Sequence, residues 1–288
     1  MRAHERGALH TIAAAAAVLA MAACGGGEQG DGDGGMEQAQ EQAGPVVPPD
    51  SAATVDVTVN FEGSAPEAEA IDMSAEESCA RAYGEEGPTT QHVRVSDGRL
   101  ANVFVYVKSG IDREFPTPRQ PVTLDQEGCR YHPHVLGIQT GQPLEILNSD
   151  SLLHNINAQP STNRGFNISQ PQAGMSTTRD FALQEVMIPV RCDVHGWMNA
   201  YIGVLEHPYH GVSDGSGALT LENLPPGEHV LEAWHEEYGT MTDTVTLAAG
   251  GSADVSFTYS ADMAGAEVPL GEPLIVHGHG ASTSRGAP

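Results

Sequence analysis

Lysine is almost missing from this chain: Lys108 is the only one in 288 residues. Lysine and arginine together number 13 against 38 aspartates and glutamates, a formal net charge of −25. Such a balance offers no basic stripe to a phosphate backbone or an anionic bilayer, so nucleic-acid binding is excluded as a main role, and the field steers basic partners instead. Aromatic residues are scarce at 5%, with Trp197 and Trp234 the only tryptophans. No apolar run reaches the length that spans a bilayer. There is no glycine-rich phosphate loop, no Ser-His-Asp order and no strong acid/base pair, which leaves no signature of the common enzyme classes. Cysteine is scarce too, with only four, and each one therefore carries information.

The first of them closes an export signal. Arg2 and Arg6 form a basic leader, Ile12–Ala23 is a short alanine-rich apolar run, and Met21-Ala22-Ala23 places small residues before Cys24. The run is too short and too weakly apolar to span a membrane as a helix. The layout resembles a bacterial lipoprotein signal, which implies removal of residues 1–23 and lipidation of Cys24. Gly25 in place of the aspartate familiar as an inner-membrane retention signal favours the outer membrane. Residues 24–53 continue as a Gly/Glu/Gln/Asp stretch ending in prolines, a solvated tether with nothing to bury.

From Thr54 the pattern becomes that of strands. Val55, Val57, Val59 and Phe61 alternate with polar residues, the period of a strand with one buried face. Asn102–Lys108 is apolar on both faces and reads as a central strand. Leu144 with Ile146, Leu152–Ala158, Thr178–Leu183, Glu185–Val190 and Ala200–Glu206 read as further short strands between Gly, Pro, Asn and Ser breaks, with one short helix expected around Ser74–Arg81. The fold class is therefore all-β, a sandwich spanning 54–207. A second set, Ala218–Leu221, His229–Trp234, Met241–Leu247 and Asp254–Tyr259, follows the Asp214-Gly215-Ser216-Gly217 turn. It predicts a small module over 208–260, too short to stand alone. Residues 261–288 have no periodicity and read as a disordered tail, in which His277 and His279 are incidental.

The chemistry concentrates in Cys192-Asp193-Val194-His195-Gly196-Trp197-Met198, entered and left by apolar runs. Thiolate, imidazole and thioether at three-residue steps suit copper, because soft sulfur with imidazole selects it and a distant Met marks electron-transfer copper sites. Such a site needs a second imidazole. His154, in Asn148-Ser149-Asp150-Ser151-Leu152-Leu153-His154-Asn155 and 38 residues before Cys192, is the strongest candidate. Cys79 and Cys129 remain, and in an exported protein two leftover thiols point to a disulfide. Pairing of Cys192 with either one is the rival, since it would remove the thiolate. Cys129, His132 and His134 form a second cluster that lacks a fourth zinc ligand at any usual spacing. His132 and His134 read as structural or surface residues, His235 as packing at the module's edge, and His207 and His210 as hydrogen-bonding groups at the junction.

The segment 135–206 resembles the cupredoxins: a strand ending in Leu-Asn-Ser-Asp, a His-Asn pair, then Cys-x-x-His-x-x-Met between two strands. The loop spacing is similar to that of amicyanin. The resemblance implies a type 1 copper site with His154, Cys192 and His195 in the copper plane and Met198 axial. It implies that Asn155 ties the two ligand segments together near the sulfur. Electrons would pass through the ring edge of His195 at an apolar surface, and Trp197 would enlarge that partner patch or shield the metal. More loosely, the last module resembles a carboxypeptidase-regulatory-like (transthyretin-like) β-module through Leu-Pro-Pro-Gly-Glu-His and Trp-His-Glu. The expected function is a tethered, exported carrier of single electrons, with one copper and no enzyme activity, serving a c-type cytochrome or an oxidoreductase. The alternatives are a copper-delivery lipoprotein without a redox role, and a structural or ligand-binding surface sandwich.

Overall fold

The computed structural model describes residues 47–84 and 87–265. The expected signal, Cys24, most of the tether and the tail beyond Gly265 lie outside the described residues. The chain runs through β1 (Ala53–Glu62), α1 (Glu77–Arg81), β2 (Val95–Ser96), β3 (Arg99–Leu100) and β4 (Phe104–Ser109). It continues with β5 (Val122–Glu127), β6 (Arg130–His132), β7 (Val135–Gln139), β8 (Leu144–Asn148), β9 (His154–Ala158) and β10 (Phe166–Gln170). After β11 (Met175–Arg179), β12 (Glu185–Arg191) and β13 (Asn199–Leu205) come β14 (His210–Val212), β15 (Ala218–Leu224), β16 (Gly227–His235), β17 (Gly239–Leu247) and β18 (Ser252–Ser260). The all-β class read from the sequence is the one observed. Among the described residues no helix is long and apolar enough to cross a membrane.

Strands β5 to β13 make two sheets, ordered β11-β8-β5-β6 and β10-β9-β12-β13-β7. They close on a core that includes Leu124, Ile138, Ile146, Ile156, Ile188 and Ile202. The other strands make a second sandwich from β15-β1-β3-β2, with β18 on β1, and β14-β4-β16-β17. Its core includes Val55, Val57, Val105, Leu231, Val255 and Phe257.

This corrects the expected boundary between 54–207 and 208–260. β1 lies parallel to β18 in unbroken register from Thr54↔Ser252 to Glu62↔Ser260 and antiparallel to β15. β4 sits between β14 and β16. The N-terminal strands thus belong with the last module, and the sandwich that carries Cys192 is inserted between them. The physical reason is that alternation along β1 announces a buried face without saying which core covers it. Ala261–Met263 form a 3₁₀ turn rather than starting a disordered tail, and Ala261 and Met263 pack on the discontinuous core.

The central reading of Asn102–Lys108 holds because β4 is buried on both faces. Val103, Val105 and Val107 face one core, while Phe104 and Tyr106 join Val135, Met187, Leu205 and Trp234 between the sandwiches. Two glycines make that contact possible. Gly137 and Gly203 are paired neighbours on β7 and β13. A Cβ on Gly203 would lie 2.5 Å from Phe104 Cζ, and one on Gly137 would lie 2.7 Å from Phe104 Cε2. The Phe104 ring fills the space that two missing side chains leave.

The structure pairs Cys79 of α1 with Cys129 of the β5–β6 turn, 50 residues apart, and leaves Cys192 free and buried. The rival pairing through Cys192 is thereby excluded. Closing a loop of that length contributes about 3–5 kcal/mol in the chain-entropy account.

Candidate metal centre

His154 opens β9 and Cys192 follows β12, neighbouring strands joined through Val190↔Ala158 and Arg191↔Asn157. The pairing brings two residues 38 apart in sequence to the same end of one sheet. The loop between β12 and β13 then folds tightly on itself. Cys192 N–H donates to Met198 O at 3.1 Å, Met198 N–H to His195 O at 2.9 Å, and His195 N–H to Cys192 Sγ at 3.4 Å. These bonds turn the three-residue spacing into convergence.

The two ligand segments are tied together by amides. Asn155 Oδ1 accepts from Asp193 N–H at 2.7 Å and from the Cys192 thiol at 3.3 Å. Asn155, Asn157 and Asn167 all donate side-chain N–H groups to the Asp193 carboxylate. Asp193 is a functional neighbour that motif spacing missed, because its partners lie on β9 and β10. Tyr131 fixes the other side by donating its hydroxyl to Asn155 O.

His154 Nδ1 and His195 Nδ1 lie 2.9 Å apart, and Cys192 Sγ is 3.8 Å from His195 Nδ1. All three residues are buried, with their donor atoms within 4.8 Å of one another. His154 Nε2–H donates to Asp150 Oδ2 at 2.8 Å, which leaves its Nδ1 with a lone pair. Asp150 is held in turn by the N–H groups of Gly128 at 2.9 Å and Cys129 at 2.7 Å. Two ring nitrogens at hydrogen-bond distance need a proton or a metal ion between them. Nitrogen and sulfur donors aimed at one buried point fit copper by their chemistry.

The titration pattern agrees. Burial pulls His154 down, but Asp150 and the Cys192 sulfur outweigh it and raise the ring to about 9. Burial raises the Cys192 thiol, yet His154 and the backbone N–H groups of Asn155, His195 and Val194 bring it below its ordinary value. Burial and the neighbouring His154 charge lower His195.

Met198 is buried in the same core as Cys192. His195 departs from the expectation of a surface ring edge. It is only 4% exposed, its Nε2 is 4.0 Å from Cys79 Sγ, and its ring lies 5.2 Å from that of Trp197. The reason is α1, which the disulfide pins across the loop. Trp197 donates Nε1–H to Cys129 O at 3.1 Å and so locks onto the disulfide turn as well. The exposed apolar residues near the centre are instead Leu153 (44%) and Val194 (50%), each immediately preceding one of the two histidines.

The second cluster is not a metal site: Cys129 is in the disulfide, and its two histidines are one surface and one structural residue. His132 is exposed, but His134 is buried and reaches Glu236 rather than Cys129. His235, expected at an edge, is fully buried. His207 Nε2–H donates to Val107 O at 2.9 Å, and the His210 ring stacks on Phe104 at 5.6 Å.

No protein-family model matches the chain, and no curated protein does. Among solved structures it is similar to a mutant of amicyanin in its Cu(I) form at 14% identity, over 29% of this chain and 81% of that one, with a TM-score of 0.26. It is similar to a purple cupredoxin from Nitrosopumilus maritimus at 22% identity, over 28% of this chain and 97% of that one, with a TM-score of 0.25. A copper-containing nitrite reductase from Thermus scotoductus matches at 22% identity over 36% of this chain and 26% of its own length, with a TM-score of 0.27.

Proposed function

We propose that this protein is an exported type 1 copper protein, tethered through lipid on Cys24, that carries single electrons between redox partners. The observation that carries the reading is the convergence of His154 Nδ1, His195 Nδ1 and Cys192 Sγ in a buried pocket whose second layer is already hydrogen-bonded. His154, Cys192 and His195, with Met198 beside them in the same core, would hold the copper. Copper bound there would supply a one-electron couple. The chain's own part is to fix the donors: Asp150 sets the His154 tautomer, and Asn155 with Asp193 holds the Cys192 backbone. Donors fixed this firmly change little between oxidation states, which suits a carrier.

The burial of all three donors leaves no route for substrate, so we assign this centre no catalytic role. With His195 covered, partner contact falls to the apolar surface around Leu153 and Val194. The acidic chain selects a basic partner there, a c-type cytochrome or an oxidoreductase. The discontinuous sandwich, for which the transthyretin-like resemblance was the expectation, acts in this reading as the mount for the copper sandwich.

Colour tests the proposal. Oxidised protein loaded with copper should absorb intensely in the visible through thiolate-to-copper charge transfer and bleach on reduction. Cys192→Ser should abolish the band, while Met198→Gln should keep it and shift the potential. Stoichiometric copper without colour would favour a delivery protein and end the electron-carrier reading.

A further inference from the structure

A second group of metal-type donors lies near Asn199, the first residue of β13. The β16–β17 hairpin carries Glu236 and Glu237 at its turn, the segment between β6 and β7 carries His134, and the loop before β2 carries His92. Glu236 reaches both histidines: its Oε1 contacts His134 Nε2, and its Oε2 lies 2.9 Å from His92 Nδ1. Glu237 Oε1 is 3.9 Å from the same His92 nitrogen. The side chains of Glu236 and His134 are only 4% and 6% exposed, whereas those of His92 and Glu237 are 40% and 45% exposed. The group is anchored at its base and open at its mouth. A hollow lined by His92, His134, Trp197 and Met198 gives access.

His134 supports the cluster from below. Its Nδ1 lies 3.1 Å from Asn199 O, a carbonyl that only accepts, so Nδ1 carries the hydrogen. Its Nε2 hydrogen-bonds Glu236 Oε1 too closely for a metal ion to lie between the two atoms, so Oε2 is the Glu236 oxygen left for a ligand. Donor atoms of His92, Glu236 and Glu237 lie within 4.8 Å of one another. Metal–nitrogen and metal–oxygen bonds of about 2.0–2.2 Å in tetrahedral geometry set donors roughly 3.3–3.6 Å apart. The His92 separations of 2.9 and 3.9 Å from the two carboxylates bracket that spacing.

We propose that His92, Glu236 and Glu237 form a second metal site, for a borderline divalent ion of the zinc type, with His134 holding Glu236 in place and water completing the coordination. An imidazole with two carboxylates favours such an ion over a soft monovalent one, for which the chain offers Cys192. The site joins two segments of the discontinuous sandwich, and the His134–Glu236 contact clamps the hairpin to the sheet that carries the Cys192–Met198 loop. Asn199 follows Met198 directly, so the His134 Nδ1–H to Asn199 bond ties the new site to that loop.

The test is zinc(II) titration by calorimetry on full-length protein, both preloaded with copper(I) and as the Cys192→Ser variant. Each form should take up one equivalent that depends on the new cluster, so failure of the copper reading would leave this one standing. His92→Ala changes a half-exposed side chain without disturbing the core and should weaken that equivalent about tenfold or more; Glu236→Gln should weaken it further. The imidazole resonances of His92 and His134 should shift on zinc addition in both forms. If zinc binding is absent, or is unchanged in both His92→Ala and Glu236→Gln, the site does not exist and the contact is an imidazolium–carboxylate ion pair.

Discussion

Replacing Asp150 by asparagine separates a positioning carboxylate from a merely acidic surface. Three donors converge on this side chain: Gly128 N–H on Oδ1, and Cys129 N–H with His154 Nε2–H on Oδ2. An asparagine offers one acceptor oxygen and one NH₂, so at least one of those donors must meet another donor. A partner that holds the far nitrogen of a ligand histidine is worth about 10–100-fold in metal affinity. That range corresponds to about 1.4–2.7 kcal/mol, comparable with one charge-assisted hydrogen bond. Copper affinity should therefore fall by this factor, read by competition with a coloured copper(I) chelator. In metal-free protein the His154 ring, raised to about 9 partly by Asp150, should titrate lower when followed by nuclear magnetic resonance. The Asp150 side chain is only 18% exposed, so the loss should persist at high salt, where exposed charges are screened within roughly 3–10 Å. An unchanged affinity would refute the orienting role. A deficit that vanishes in high salt would show that the carboxylate acts only as distant charge.

Gly203→Ala should lower stability by about 1–3 kcal/mol, as overpacking does, and Phe104→Leu in the same chain should recover part of it. Additive losses in equilibrium denaturation would mean that the ring and the glycine do not meet. Acid should destabilise the fold early, because His235 and His210 are held neutral by burial at about 4 against an ordinary 6.5. The unfolded chain takes up those protons first, so stability is lost as pH falls from about 6.5 toward 4, by roughly 3 kcal/mol for each ring at most. A melting temperature flat across that interval would contradict their burial. Cys79→Ser with Cys129→Ser should cost about 3–5 kcal/mol and make the His195 ring accessible to histidine-directed labelling; equal labelling with and without the disulfide would show that α1 does not cover it.

The Cys192–Met198 loop was legible because its geometry is local. Three-residue steps between Cys192, His195 and Met198 are closed by hydrogen bonds inside the same seven residues, and apolar runs on either side announce the strands that present them. His154 could be named because a second imidazole was chemically required and the segment around it ends a strand. The Cys79–Cys129 bridge followed from counting thiols. None of these inferences needed knowledge of which sheet lay where.

What stayed hidden depends on tertiary partners that leave no periodic mark. β1 alternates in the same way whether its valines face Ile146 or Phe257, so its membership in the discontinuous sandwich was unreadable. β4 did disclose its central place, because both of its faces are apolar, yet not that Phe104 would rest on Gly137 and Gly203 from two other strands. Residues 62–100 carried little pattern beyond the short helix expected around Ser74–Arg81, and from that stretch come the two groups that change the functional reading most. Cys79 on α1 seals the His195 ring, and His92 completes the cluster with Glu236. The ligands of this centre are set by neighbours in sequence, whereas access to it is set by residues a hundred positions away. Tuning of the site in this fold should therefore arise more readily from changes in residues 62–100 than from changes in the loop that holds the donors.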